Sequence, residues 1–65
     1  MKVIFKELGR SHFNGEYEII KSSDIVMMAR KHLMSGEVSA EFTTENAGNI
    51  IVGGFRKVGE FEVLG

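Results

Sequence analysis

Apolar and polar residues alternate along the first part of the chain with the two-residue period of a β-strand. The segments KVIFKEL (residues 2–8) and EYEIIK (residues 16–21) are rich in β-branched and aromatic residues and predict the first two strands. Glycines bracket the connection at residues 9–15, and its Asn14-Gly15 pair is a strong turn signal. The pattern therefore predicts an antiparallel hairpin with its turn in this connection.

The spacing of apolar residues changes after the hairpin to about 3.6, the period of an α-helix. Ser22 and Ser23 are favourable N-cap residues, and Asp24 follows where the positive end of the helix dipole favours an acid. Ser35-Gly36 is a stop signal, because glycine readily adopts the left-handed conformation that ends many helices. These signals predict one helix that begins after Ser23 and ends at Ser35-Gly36.

Three further strands are predicted in the second half of the chain. They are EVSAEFTT (residues 37–44), NIIVGGF (residues 49–55) and EFEVL (residues 60–64). Turns are predicted at ENAGN (residues 45–49) and at RKVGE, with Gly59 as the pivot. The order ββαβββ predicts an α+β fold, in which a single helix packs on a mostly antiparallel four- to five-stranded sheet within one domain of residues 1–65.

One helix leaves part of such a sheet uncovered. A helix is about 10 Å wide and strands lie about 4.8 Å apart, so one helix covers two or three strands on one face. Strict alternation cannot place every apolar strand residue on the same side as Val3 and Phe5. Ile4, Leu8, Ile51 and Phe55 cannot all share a side with Val3, Phe5 and Val52, so some apolar residues fall on the second face. We therefore expect that the sheet curls strongly or that a second molecule covers this face.

Two methionines in the predicted helix indicate a contact surface. The core-facing arc of the helical wheel holds Ile25, Val26, Met28, Ala29, His32 and Leu33. The opposite arc holds Met27, Arg30, Lys31 and Met34. Methionine is frequent on surfaces that accommodate partners, and arginine is enriched at interfaces. These four residues are the predicted partner-binding surface, whereas the alternative is that exposed methionines are ordinary surface residues.

The composition is typical of a small soluble protein. The chain has 65 residues and a net charge of −1, which disfavours both disorder and general, charge-driven nucleic-acid binding. A domain of this size buries only about 60% of the surface that its unfolded chain exposes, which favours a homodimer. The chain contains no cysteine and no apolar run near the roughly 20 residues that cross a membrane. We therefore expect a cytoplasmic protein that does not bind membranes.

Few residues are candidates for catalysis or metal binding. His12 lies in the first predicted loop, His32 lies on the core-facing side of the helix, and no cysteine nucleophile exists. An extended segment 12–18 would align possible metal ligands, but the Asn14-Gly15 turn signal argues against it. Those ligands would be His12, Asn14, Glu16 and Glu18. We therefore expect no enzyme activity, no cofactor and no metal.

Pairs of glutamates recur in the predicted strands. They are Glu16/Glu18, Glu37/Glu41 and Glu60/Glu62, and they alternate with core residues, so they are predicted to face solvent. Their expected cross-strand partners are Lys2, Lys6 and Lys21.

Gly53-Gly54 is predicted to form a bulge or a close approach of another backbone. Because cations follow it, an anion-binding backbone nest is the alternative.

Taken together, these features predict a small non-enzymatic protein-interaction module that binds a protein partner or its own copy. Its size resembles that of small phage or plasmid proteins, which modulate or inhibit a host factor. The alternative is a small nucleic-acid-binding module with a local basic patch. That patch would consist of Arg10, Arg30, Lys31, Arg56 and Lys57. The protein partner is favoured, because the aromatic residues alternate with glutamates, which repel phosphates.

Overall fold

Five strands and one helix follow one another in the predicted order. A computed structural model describes residues 1–34 and 36–65. The elements are β1 (Lys2–Leu8), β2 (Phe13–Glu18), α1 (Asp24–Arg30), β3 (Val38–Phe42), β4 (Ala47–Val52) and β5 (Arg56–Leu64). All neighbouring strands are antiparallel, and the sheet has the order β2-β1-β5-β4-β3. The predicted α+β class is confirmed as one helix and a five-stranded antiparallel sheet that forms most of the chain.

One face of the sheet forms the core together with α1. Because successive strand residues face opposite sides, the core residues occupy alternate positions along each strand. Phe5 pairs with Phe61 across β1 and β5, and both side chains are buried. Ile25 and Ala29 of α1 are buried in the same cluster. The helical wheel therefore identified the core-facing side of the helix correctly.

A β-bulge places Leu8 in this core, although strict alternation from Val3 and Phe5 would place it on the second face. The β1–β2 register shifts between Phe5 and Leu8, and Glu7 has a left-handed φ of 53°. A bulge adds one residue to one strand and so moves the following side chain to the other face. Leu8 consequently lies on the side of Phe5 and is fully buried. Ile4 and Ile51 remain on the outer face, where both are half-buried.

The first hairpin turns earlier than the sequence predicts. The turn spans residues 9–12, and β2 covers Phe13–Glu18 instead of residues 16–21. Asn14-Gly15 therefore lies inside a strand, and its assignment to the turn is wrong. The Asn14 side chain braces the turn instead: it accepts the Glu7 N–H at 3.2 Å and donates to the His12 carbonyl at 2.8 Å.

The second half also departs from the predicted boundaries. β3 and β4 end at Phe42 and Val52, two and three residues earlier than predicted, and β5 begins at Arg56. Gly59 is therefore not a pivot, because it lies inside β5, paired with Ile50 beside a register shift. A Cβ on Gly59 would lie 2.9 Å from the Leu8 Cα, so glycine allows β1 to approach closely. The β4–β5 turn is formed by Gly53-Gly54, with φ values of 63° and 82°.

The helix is shorter than predicted: it ends at Arg30 and not at Ser35-Gly36. The chain then continues in tighter three-residue turns, in which the N–H groups of Lys31 and His32 donate to carbonyls three residues earlier, at 3.2 and 3.0 Å. Met34 consequently lies beyond the helix. Ser35, half of the predicted stop signal, lies outside the described residues.

The predicted serine cap at the start of the helix is wrong. Ser23 occupies the N-cap position, but within the described residues its side chain makes no capping hydrogen bond. Asp24 organises this end instead, since its carboxylate accepts the N–H groups of Ile20 and Lys21 at 3.1 and 3.2 Å. The acid that was expected to interact with the helix dipole therefore also holds the connection from β2.

Candidate functional site

The sheet topology brings three connections to one end of the molecule. Leu8 at the end of β1 pairs with Phe13 at the start of β2, and Val52 at the end of β4 pairs with both Val38 and Arg56. Because all strands are antiparallel, the β1–β2 turn, the α1–β3 connection and the β4–β5 turn meet at this end. Every candidate basic residue lies in or beside one of these connections.

Backbone contacts hold the three connections side by side. The Gly9 N–H donates to the Val58 carbonyl at 2.9 Å, and the Gly53 N–H donates to the Glu37 carbonyl at 3.0 Å. A Cβ on Gly9 would lie 2.9 Å from the His32 carbonyl oxygen, so the first turn also touches the segment after α1. We call this region the basic end, and we define it by Arg10, Arg30, Lys31, Arg56 and Lys57.

The five cations of the basic end have different surroundings. Lys57 Nζ lies 2.8 Å from Glu60 Oε2, and this hydrogen bond, together with the charge of Lys57, lowers the pKa of Glu60. Arg30 donates to the Gly36 carbonyl at 3.4 Å. Among the described residues, Arg10 and Arg56 make no ion pair and are exposed. Lys31 is also exposed and unpaired in charge among these residues, but its Nζ lies over the Tyr17 ring, so Arg10 and Arg56 are the cations most available to a partner.

An aromatic stack supports the basic end from the core side. The rings of Phe13 and His32 are parallel within 14°, with centroids 3.7 Å apart. A hydrogen bond of 2.6 Å joins Tyr17 Oη and His32 Nε2, and the hydroxyl is the donor when His32 carries its proton on Nδ1. Lys31 Nζ lies 5.4 Å from the centroid of the Tyr17 ring. The stack thus holds the segment after α1 against β2, so we assign these rings a structural role.

Replacing Tyr17 by phenylalanine is expected to lower the free energy of unfolding by about 1 kcal/mol, because the partly buried His32 loses its hydrogen bond. Urea unfolding measures this change. The matched control is the same substitution in a His32→Leu background, where the hydrogen bond is already lost. If Tyr17→Phe has the same effect in both backgrounds, the hydrogen bond does not stabilise the fold.

The possible metal ligands of the first hairpin do not converge. β2 is extended, so Asn14, Glu16 and Glu18 share an exposed face, contrary to the turn prediction. His12 belongs to the turn, with a φ of 52°, and its Nδ1 lies 3.4 Å from Glu7 Oε2. Within the described residues, no three histidine or carboxylate side chains form a group that would hold a metal ion.

Carboxylates and lysines cover much of the outer face of the sheet. Lys2 Nζ lies 3.5 Å from Glu16 Oε2, as expected for a cross-strand pair, whereas Lys21 makes no ion pair among the described residues. An open depression of about 300 Å³ is lined in part by Lys6, Glu60 and Glu62. A general acid needs a raised pKa. The lowered pKa of Glu60 is the opposite of that requirement.

The predicted partner-binding surface extends from α1 to the basic end. Met27 lies on α1 with 58% of its surface exposed, and Met34 lies beyond the helix and is fully exposed. Arg30 and Lys31 lie between them in sequence and are exposed. Helical periodicity did not predict Phe55, which is 88% exposed in the β4–β5 turn, as part of this surface. The two glycines before it are the sequence signal for the turn that displays it.

Comparison with family models, with curated proteins and with solved structures finds no match for this chain. No helix in residues 1–34 or 36–65 is long and apolar enough to cross a membrane. The functional proposal therefore depends on the surface of the chain itself.

Proposed function

We propose that this protein is a small non-enzymatic interaction module, which binds a protein partner, its own copy, or both. The observation that carries this proposal is the exposure of Met27 and Met34 on either side of Arg30 and Lys31. Flexible methionine side chains adapt to a partner surface, and arginine is frequent in protein interfaces. The partner-binding surface consists of Met27, Arg30, Lys31 and Met34.

The polar groups of the chain support a binding role over catalysis. None of the described polar or charged residues is buried, so a perturbed acid or base in a dry pocket is not part of the described structure. His32 is engaged by Tyr17 and Phe13, and His12 faces Glu7 at the surface. We accordingly propose a protein without enzyme activity or cofactor.

The small size of the fold supports association with a second copy. A domain of 65 residues is marginally stable alone, and a homodimer would remove exposed apolar side chains from water. The absence of cysteine supports a cytoplasmic location. A small phage or plasmid protein that modulates a host factor would combine these properties.

The test of this proposal compares the wild-type chain with a Met27→Glu/Met34→Glu variant. Exposed substitutions usually change stability by no more than about 0.5 kcal/mol, so the variant should fold. Unpaired carboxylates in a desolvated contact are unfavourable, so the variant should associate less. Sedimentation velocity measures self-association, and affinity capture from the native cell measures partner binding.

The control is Ile20→Glu, since Ile20 is 90% exposed beside Lys21 at the opposite end of the molecule. We expect the control to associate like the wild type and the methionine variant to lose self-association, partner capture, or both. The proposal is wrong if the wild type stays at 7.2 kDa and retains no protein, or if the folded methionine variant behaves like the wild type.

Nucleic-acid binding is the second candidate function, and one observation favours it. The topology places Arg10, Arg30, Lys31, Arg56 and Lys57 at the same end, where their charges add locally. The acidic outer face and the net charge of −1 limit the number of phosphate contacts. Binding of this kind would therefore be weak and would fall steeply with salt.

A further inference from the structure

The net charge of the chain conceals a marked separation of charge. One end of the molecule comprises residues 7–12, 30–34, 36–37 and 53–57. This end holds the five cations of the basic end and two acids, Glu7 and Glu37, so its formal charge is +3. The rest of the chain carries three cations against seven acids, a formal charge of −4. The two parts together give the net charge of −1. An acidic partner would therefore be attracted to one end and repelled by the remainder.

The same end displays large apolar side chains that the core does not bury. Phe55 follows Gly53-Gly54, whose left-handed conformations form the turn, and it lies directly before Arg56. Met34 lies in the segment after α1 and is fully exposed. Exposed apolar side chains at an end with a net positive charge are complementary to a segment that mixes apolar side chains with carboxylates.

We propose that the basic end binds an acidic segment of a protein partner, in which apolar side chains contact Phe55 and Met34 and carboxylates pair with Arg10 and Arg56. This inference rests on the proposed function as a protein-interaction module and specifies the chemistry of the partner. Arginine presents a planar fork that matches a carboxylate geometrically, and both arginines are exposed.

The surroundings of the basic end favour this partner over a nucleic acid. Single-strand binding relies on exposed aromatic rings on which successive bases stack. Phe13 and Tyr17 are engaged with His32, so Phe55 is the one fully displayed ring among the described residues of this end. Glu60, which is paired with Lys57 on the adjoining sheet face, would repel a phosphate backbone. A short acidic peptide, unlike an extended nucleic-acid strand, could bind the basic end without crossing that face.

The test uses a short synthetic peptide in which glutamate and aspartate alternate with leucine and phenylalanine. Fluorescence anisotropy of the labelled peptide measures binding to the wild type, to Arg10→Glu/Arg56→Glu and to Lys2→Glu/Lys21→Glu. Both double variants change the net charge equally, but the second alters the opposite end of the molecule. Circular dichroism establishes that each variant folds.

Reversal at Arg10 and Arg56 is expected to weaken peptide binding about tenfold, whereas the control should bind within about twofold of the wild type. Binding should also weaken between low salt and about 0.15 M salt, because exposed charges are screened over roughly 8 Å there. The Phe55→Ala variant should also bind the peptide more weakly than the wild type does. Equal losses in the two charge variants would overturn the proposal, since they would show a general effect of net charge.

Two more results would overturn the proposal. One is a wild type that fails to bind the peptide, and the other is an oligouridine of equal charge that binds more tightly at the same salt. The second result would assign the basic end to nucleic acid. Neither result depends on the methionine variant. If that variant still loses association with its native partner, the interaction function stands while the acidic character of the partner is refuted.

Discussion

Replacing Phe5 by alanine is expected to lower the free energy of unfolding by about 3–5 kcal/mol. Phe5 is fully buried, pairs with Phe61 across the central strands and makes an edge-to-face contact with the Tyr17 ring at a centroid distance of 6.2 Å. A folded domain of this size has a total stability of about 3–10 kcal/mol. The variant should therefore lose a large fraction of its stability, which urea unfolding monitored by circular dichroism measures.

The matched control is Phe55→Ala, which removes the same atoms from a side chain that is 88% exposed. Its expected change in stability is within about 0.5 kcal/mol. Similar losses for the two variants would mean that Phe55 is buried in solution, by the fold or by a second copy. That outcome would contradict the position of Phe55 as an exposed residue of the basic end.

Replacing Gly48 by alanine is expected to lower the free energy of unfolding by about 1–3 kcal/mol, although only one methyl group is added. A Cβ at this position would collide with the carbonyl oxygen of Glu41 and would lie 2.8 Å from the Cα of Phe42. Both obstacles are backbone atoms of β3, which pairs with β4 at this position. The clash is therefore relieved only if the two strands separate.

The control for this variant is Gly36→Ala, since no described atom lies within 4 Å of the position that its Cβ would occupy. Urea unfolding of the two variants should give a clear loss for Gly48→Ala and little change for Gly36→Ala. Equal stability of both variants would show that the backbone of β3 does not lie within 2.8 Å of the position that the Cβ would occupy.

The sequence predicted the elements better than their ends. β1 was predicted at its observed bounds, because KVIFKEL combines strand-forming residues with a following glycine. The errors arise where distant contacts override local signals. Asn14-Gly15 is a turn signal in isolation, yet the left-handed residues Glu7 and His12 complete the turn before it. Gly59 was assigned to a turn because the sequence around it does not reveal its close contact with Leu8, which is distant in sequence.

The candidate site was predictable as a set of residues but not as an arrangement. The four residues around Met27 and Met34 followed from helical periodicity, although Met34 lies beyond the helix end. The grouping of the cations depends on the strand order β2-β1-β5-β4-β3, which alternation within single strands does not determine. Arg10 and Arg56 are far apart in sequence and lie at the same end of the molecule because β1 and β5 are neighbours. The overall charge of −1 gave no sign of this separation.

The most direct test of a protein-binding surface at the basic end is an NMR titration. The ¹⁵N-labelled chain is titrated with the acidic, leucine- and phenylalanine-containing peptide, and the shift of every backbone amide is followed. We expect the largest shifts in residues 9–12, 30–34 and 53–57. Shifts concentrated on the outer sheet face around Glu16 and Glu60, or no shifts at all, would contradict it.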